Sequence, residues 1–301
     1  MKKEHKGMLY MLSCGIMWSI SGLFIKLSPW NALVIAGVRS ALAALVLLAY
    51  MRFKKMRLII NRRTLYISVA MLLVFLCFLP ANKLASPANA ITLQYTAPVY
   101  VLLFSALFYK QRIKGGDLLA VLITIAGIAV FFLDKLGTGS LLGNILGLAS
   151  GVFLGAMYLL VGDISEETRI SGIFIAQILT ALVGIPLAFI YETPLNKVAI
   201  VSILILGFVQ LGIPYILFSL ANRDCPPLTC SILSLIEPLL NPVWVYLGLG
   251  EKPGKFALLG GAVVLITVTL WSVWRAKREA LEQAAQSTPD EDALNVQAEP
   301  L

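Results

Sequence analysis

The chain of 301 residues has one histidine, four cysteines and few charges, with Asp, Glu, Lys and Arg together at 13%. Each shortage excludes something. His5 lies in the N-terminal tail, and Cys14, Cys77, Cys225 and Cys230 form no CxxC pair, so the cysteines read as small apolar residues and no metal site is expected. No Gly-rich loop ends in Gly-Lys-Ser/Thr, which removes the usual cradle for the phosphates of ATP. A membrane-embedded enzyme would need paired acids, a Ser/Lys pair or His with carboxylates inside the spans; no catalytic set of that kind is visible, and no cofactor is implied.

Apolar residues fill the chain instead. They make up 59% of it, and the mean hydropathy is +0.87. A domain this apolar has lipid for a solvent, and runs of about 20 apolar residues without period-two alternation indicate helices rather than a barrel. The expected class is an all-α polytopic membrane protein. Segmentation at charges, Pro and Gly predicts ten transmembrane helices, near 8–26, 31–51, 65–83, 88–109, 115–133, 142–162, 170–191, 198–221, 227–248 and 255–274. The first is expected to be an uncleaved span, since no small-residue cleavage site follows it; Leu12 and Ser13 before Cys14 are poor matches to a lipoprotein box. From Arg275 the sequence turns polar, and residues 276–301 are expected to form a disordered cytoplasmic tail.

The net charge of +8 is spread between apolar runs and forms no single patch, so no nucleic-acid partner is expected; the lipid bilayer is the partner. Counting Lys and Arg on alternate sides of ten spans gives 17 on the side of the N-terminus and 6 on the other, with Arg39 inside a span completing the 24. The positive-inside rule then puts both termini in the cytoplasm of a multi-pass protein of the cell membrane.

The sequence repeats itself. At an offset of 140 residues, ANKLASP (81–87) lies over ANRDCPP (221–227), TAP ending at Pro98 over IEP ending at Pro238, and IAGVRSALAAL over IAQILTALVGI; Gly7 and Gly15 match Gly143 and Gly151 at a slightly shorter offset. Two units follow, 1–136 and 137–275. Each holds five helices, an odd number, so the copies are expected to cross the membrane in opposite senses around a central cavity. That geometry suits a transporter that opens a central site to either side in turn; duplication that only enlarges a bundle is the structural alternative.

Two ionisable residues fall near the middle of spans, Arg39 in the second and Glu237 in the ninth. Their depths differ by roughly 5 Å at the helical rise. A charge at that depth costs about 2.5–3.5 kcal/mol or more, so both should face the interior, and pairing with each other is the least costly arrangement. Arg39 bonded to carbonyls of its own half remains open. Ser234, Glu237, Asn241 and Trp244 recur at spacings of three, four and three, which makes a polar stripe on one helical face. In the matching helix Gln94 stands opposite Ser234 and Ala97 opposite Glu237, with Tyr95 nearby. Trp18, Tyr158, Gln210 and Tyr215 complete the candidate cavity wall, and Pro98, Pro238 and Pro242 weaken the helical ladder near it. Small residues around Trp18, Tyr158 and Gln210 serve close helix packing equally well, and a homodimer through such faces is compatible with the sequence.

These features resemble the drug/metabolite transporter superfamily, and within it the ten-helix exporters built from two EamA domains. The resemblance covers residues 7–275 and rests on Arg39, the Pro98 region, and Ile236–Pro238 with Leu247–Glu251 downstream. The first half departs from it, with FYKQ placing Gln111 where the second half has Glu251. The resemblance implies export of small-molecule metabolites, often amino acids or related compounds, without an ATPase; import or facilitated passage of sugars, nucleotide-linked metabolites or other anions is the alternative. Glu237 is then either the site of proton coupling or half of a latch between the repeats.

Overall fold

The structure is a computed structural model, and it describes residues 3–85, 87–110, 115–131, 141–161, 164–224, 233–234, 236–252 and 254–287. Among these residues regular structure is helical. In chain order the elements are α1 (Lys3–Ser19), α2 (Ser21–Leu27), α3 (Ala32–Phe53), α4 (Arg62–Leu84), α5 (Pro87–Gln94), α6 (Ala97–Tyr109), α7 (Gly115–Phe131), α8 (Leu141–Val161), α9 (Glu166–Gly184), a 3-10 turn (Pro186–Phe189), α10 (Lys197–Leu204), a π-helical stretch (Ile205–Gly212), α11 (Ile213–Asp224), α12 (Ile236–Leu249) and α13 (Lys255–Ser287).

Asn and Ser set several helix starts, because their side chains satisfy backbone N–H groups that have no intrahelical partner. Asn31 accepts from Leu33 N, Ser165 from Thr168 N and Asn196 from Ala199 N, while Asn61 and Thr64 bond reciprocally in a capping box. At the C-termini of α6 and α12 the chain turns through a left-handed residue, Lys110 at φ 52° and Gly250 at φ 67°. These two residues are 140 apart, the offset of the repeat.

Among the described residues seven helical stretches are long and apolar enough to cross a membrane: His5–Leu27, Ala32–Phe53, Arg62–Leu84, Asn89–Phe108, Leu141–Val161, Glu166–Phe189 and Lys197–Asp224. The protein is therefore a multi-pass membrane protein. Of the other expected spans, those near 115–133 and 255–274 overlap α7 and α13, where the apolar stretches Gly115–Thr124 and Leu258–Trp271 are shorter, and the start of the one near 227–248 lies outside the described residues. Leu45, Leu107 and Leu182, each more than half exposed, show how apolar the outer surface is. One expectation needs correction: α13 runs on to Ser287, past the Arg275 boundary set for a disordered tail. The segment REALEQAAQS is rich in Ala, Glu and Gln, good helix formers that extend the last helix as a polar rod. Residues 288–301 lie outside the described residues.

Helix pairing has an internal symmetry. Under the offset found in the sequence, α1–α2 corresponds to α8, α3 to α9, α4 to α10–α11, α5–α6 to α12, and α7 to α13. Packing follows the same exchange: α4 lies on α8 as α1 lies on α11, α5 and α6 lie on α8 as α12 lies on α1, and α4 lies on α9 as α3 lies on the π stretch. Three further contacts, α3 with α9, α5 with α12, and α7 with α13, join an element to its own counterpart.

Polar contacts tie helix ends together at two opposite ends of the bundle. At one, Tyr50 at the end of α3 donates to Glu166 at the start of α9 (2.9 Å), Arg223 at the end of α11 reaches the same carboxylate (3.4 Å), and Arg63 Nε of α4 donates to Leu160 O of α8 (3.0 Å). Arg169 spans the carbonyls of Val161, Ile164 and Ser219 there. At the other, Lys26 approaches Glu251 (3.8 Å), Lys83 donates to Ser28 O, and Trp30 Nε1 donates to Pro194 O (2.9 Å). At the first of these ends, α3 ends where α9 begins and α4 begins where α11 ends.

Candidate functional site

Irregularities in three membrane-spanning helices converge on the middle of the bundle. The first pass breaks at Ile20 between α1 and α2, and the fourth breaks at Tyr95 and Thr96 between α5 and α6. The stretch Lys197–Asp224 carries the π stretch, a form that costs helical regularity and is frequent at functional sites. At the second break Thr96 Oγ1 bonds back to Leu93 O (2.6 Å), and Pro98 sits in the first turn of α6, where it removes no intrahelical donor. Pro98 thus starts a helix and does not bend one. Helix α8 lies against the same break through Gly151, where a Cβ would come within 3.0 Å of Gln94 O.

The space between these elements is a small cavity, about 50 Å³ counted as room for the centre of a water molecule. That is enough for a few waters, which need about 10–15 Å³ each by this measure. Its walls include Trp18, Arg39, Gln94, Tyr95, Tyr158, Gln210, Tyr215 and Glu237. The structure therefore brings both intramembrane charges and six of the polar or aromatic residues singled out in the sequence to one place. Sequence reasoning missed the apolar part of the wall, Val74, Phe75, Phe78, Leu154, Met157 and Leu211. A signal for two of these was present: Phe75 and Phe78 stand 140 residues before Tyr215 and Phe218.

The expected direct pairing of Arg39 with Glu237 is not what the structure shows. Among the described residues no ion pair within 4.0 Å joins them. Arg39, 1% exposed, donates through Nη1 to Gln210 Oε1 (3.0 Å) and lays its guanidinium over the Phe75 ring at 5.3 Å, leaving Nε buried without a partner. Glu237, 7% exposed, accepts from the Tyr95 hydroxyl at 2.7 Å, and that hydroxyl also lies 3.0 Å from Ser234 O. The reason is local backbone geometry. The helix break delivers Tyr95 to the carboxylate and the π stretch delivers Gln210 to the guanidinium, so each charge meets a neutral partner first. Gln210 and Tyr95 thus replace the ion pair.

Three residues of the expected wall do other work. Ser234 is buried beside the cavity and contributes its carbonyl to Tyr95. Asn241 Nδ2 donates to Ser19 O (2.9 Å) and reaches Ser21 Oγ (3.4 Å), and Trp244 Nε1 donates to Ser19 Oγ (2.9 Å). Asn241 and Trp244 therefore fasten α12 across the break between α1 and α2, whose freed carbonyl needs a donor. Of the stripe read from the spacing, Glu237 lines the cavity, while Asn241 and Trp244 bind across the break between α1 and α2. Aromatic rings form the rest of the surround: Trp18 lies 5.4 Å from Tyr215 and 5.7 Å from Phe218, and Phe75 meets Tyr215 edge-on at 6.3 Å. Cys14, one turn before Trp18, donates its thiol to Pro214 O (3.2 Å), closing the seam between α1 and α11.

A model of the EamA-like transporter family matches residues 5–133 and again 141–273. The chain belongs to the EamA-like transporter family. Two proteins of Archaeoglobus fulgidus described as uncharacterized transporters are similar to it, one 23% identical over 85% of this chain and 93% of its own, the other 27% identical over 71% and 77%. A solved crystal structure shares the fold, with a TM-score of 0.64, 16% identity and coverage of 91% of this chain and 99% of that one. Membership of this family makes transport the general activity of the protein, carried out by a multi-pass membrane chain.

Proposed function

We propose that this EamA-family protein is a secondary transporter of the cytoplasmic membrane that exports small organic metabolites, such as amino acids or related compounds, by alternating access. Ten spans form two inverted five-helix halves, residues 1–136 and 137–275, with both termini in the cytoplasm. The helix pairing and the meeting of the end of α3 with the start of α9 support the inverted repeat, and the charge asymmetry of 17 basic residues against 6 supports the orientation. The observation that carries the reading is the central cavity, to which the two halves contribute one charge each. A buried arginine and a buried glutamate at mid-membrane, each hydrogen-bonded to a neutral partner and not joined in an ion pair within 4.0 Å, are costly unless the protein uses them.

Counterflow in proteoliposomes across a panel of labelled amino acids, sugars and organic anions tests transport, and flux under an imposed pH gradient tests coupling. In the coupled form Glu237→Gln abolishes acceleration by the gradient while leaving exchange; pH-driven transport retained by that variant would rule out Glu237 as the proton carrier. A second reading, facilitated entry of sugars, nucleotide-linked metabolites or other anions, draws on the unpartnered Arg39 Nε as an anion donor. The same panel separates the two by which solute exchanges.

A further inference from the structure

A second space shares no lining residue with the central cavity. Helices α3 and α9 touch backbone to backbone at Gly37 and Gly184, where a Cβ on either would fall 2.6 Å from the other's Cα. From that crossing toward the Tyr50–Glu166 bond runs a groove of about 420 Å³ whose lining residues are all apolar. Ala44 and Ala181 are buried in it while Leu45, Leu48, Ile178 and Leu182 stand exposed along it, so small side chains leave the space and longer ones border it. We propose that this groove, with the basic segment that follows α3, binds one anionic phospholipid: an acyl chain lies along the groove and the phosphate meets Arg52.

Both helices lie in membrane-spanning stretches, so the groove faces lipid or another apolar chain, and three observations select the lipid. The first is register. Ala41, Leu45, Leu48 and Arg52 recur at spacings of four, three and four, which carries the groove face of α3 to Arg52, about 6 Å beyond Leu48. The second is length: Phe174 to Pro186 covers about 18 Å at the helical rise, close to the depth of one leaflet, about 15 Å of hydrocarbon. The third is charge. Arg52, Lys54, Lys55, Arg57 and Arg62 are exposed, and among the described residues none of them makes an ion pair. No acid stands between Arg52 and Arg62 in the sequence, and Phe53 and Ile60, 83% and 76% exposed, put apolar side chains among those cations. Exposed cations interleaved with exposed apolar side chains suit a surface of anionic lipid, to which each Lys or Arg adds about fivefold in affinity. On the α9 side the face of Phe174 and Ile178 continues to the exposed Glu167, one acid against five cations. A second copy of the chain, seated here about a two-fold axis along the membrane normal, would bring two such basic segments together. A lipid neutralises one and bridges α3, in the first matched region, to α9 in the second.

Native mass spectrometry of the full-length protein in detergent, titrated with dioleoyl phosphatidylglycerol, phosphatidylethanolamine and phosphatidylcholine, tests this. The three probes share acyl chains and differ in headgroup. One phosphatidylglycerol is expected to bind about tenfold or more tightly than phosphatidylcholine, through more than one cation. Arg52→Gln, at an exposed position, should cut that preference about fivefold, while Lys277→Gln, the same change of charge on an exposed residue of α13, should leave it intact. Ala41→Phe fills the groove without touching a charge and should weaken all three lipids about tenfold, the loss of about two buried methylenes. Equal binding of the three lipids overturns the proposal. So does an equal loss of preference from Lys277→Gln, which would reduce the effect to net charge. A preference for phosphatidylethanolamine that Glu167→Gln abolishes overturns the anionic headgroup, and a lipid-free dimer that Ala41→Phe dissociates overturns the lipid as occupant. None of these readouts depends on which solute crosses the membrane, so the site and the transport reading stand or fall separately.

Discussion

At the position of Arg39 the second half has Leu179, and at the position of Glu237 the first half has Ala97, under the same offset that aligns Phe75 with Tyr215 and Phe78 with Phe218. These ring positions are shared between the halves; the charges are not. Helix pairing, the left-handed turns at Lys110 and Gly250, and the ring positions repeat because they serve packing, which both copies need equally. The two charges and the neutral groups that hold them sit once each on opposite copies. The two halves therefore share a frame and differ in the chemistry set within it. A site of this kind is incomplete in either half.

The largest effects should come from removing what one half has and the other lacks. Arg39→Ala leaves Gln210 without its donor and opens space beneath Phe75, and should destabilise the protein by about 3 kcal/mol in thermal unfolding. Leu179→Ala, at the matching position, should cost about 1 kcal/mol or less, since that side chain is only partly buried. Comparable losses from the two would dissolve the contrast.

Two tyrosines sharpen it next. Tyr95→Phe removes a hydrogen bond to a carboxylate and should cost about 2 kcal/mol, whereas Tyr215→Phe makes the second half resemble Phe75 and should change stability by about 0.5 kcal/mol at most. The two ends of the bundle differ as well. Glu166 joins α3, α9 and α11, and Glu166→Gln should cost about 1 kcal/mol; Lys26→Ala breaks only a single, longer contact with Glu251 and should change stability by less than about 0.5 kcal/mol. The smallest effects probe a position where the halves differ in residue and agree in backbone. Gly250→Ala should destabilise by about 1 kcal/mol at its positive φ, and Lys110→Gly should stabilise by up to about 1 kcal/mol.

Much of the frame was legible in the sequence, because apolar run length, charge placement and internal repetition are properties of single segments. The boundaries of α3 and α8 lie within two residues of those read from the sequence. The central pair of charges was legible for the same reason, as each stands alone in an apolar run. Their partners were not. Tyr95 reaches Glu237 because a helix breaks at Tyr95–Thr96, and Gln210 reaches Arg39 from a π stretch, and both distortions change which way a side chain points without leaving a periodic mark. Asn241 and Trp244 were assigned to the cavity because spacing identifies a face but not how far along it the cavity extends. Polar composition, read without helix propensity, placed the end of α13 too early.

The thiol of Cys14 offers a chemical clock for the alternating access proposed above. It is wholly buried where α1 meets Pro214, so a maleimide reaches it only when those helices part. In a chain whose Cys77, Cys225 and Cys230 are replaced by Ser, the rate of labelling becomes a count of openings, read on an intact membrane without any knowledge of the cargo. A solute that slows the label has been enclosed by the protein, and that alone is enough to pick it out of a mixture.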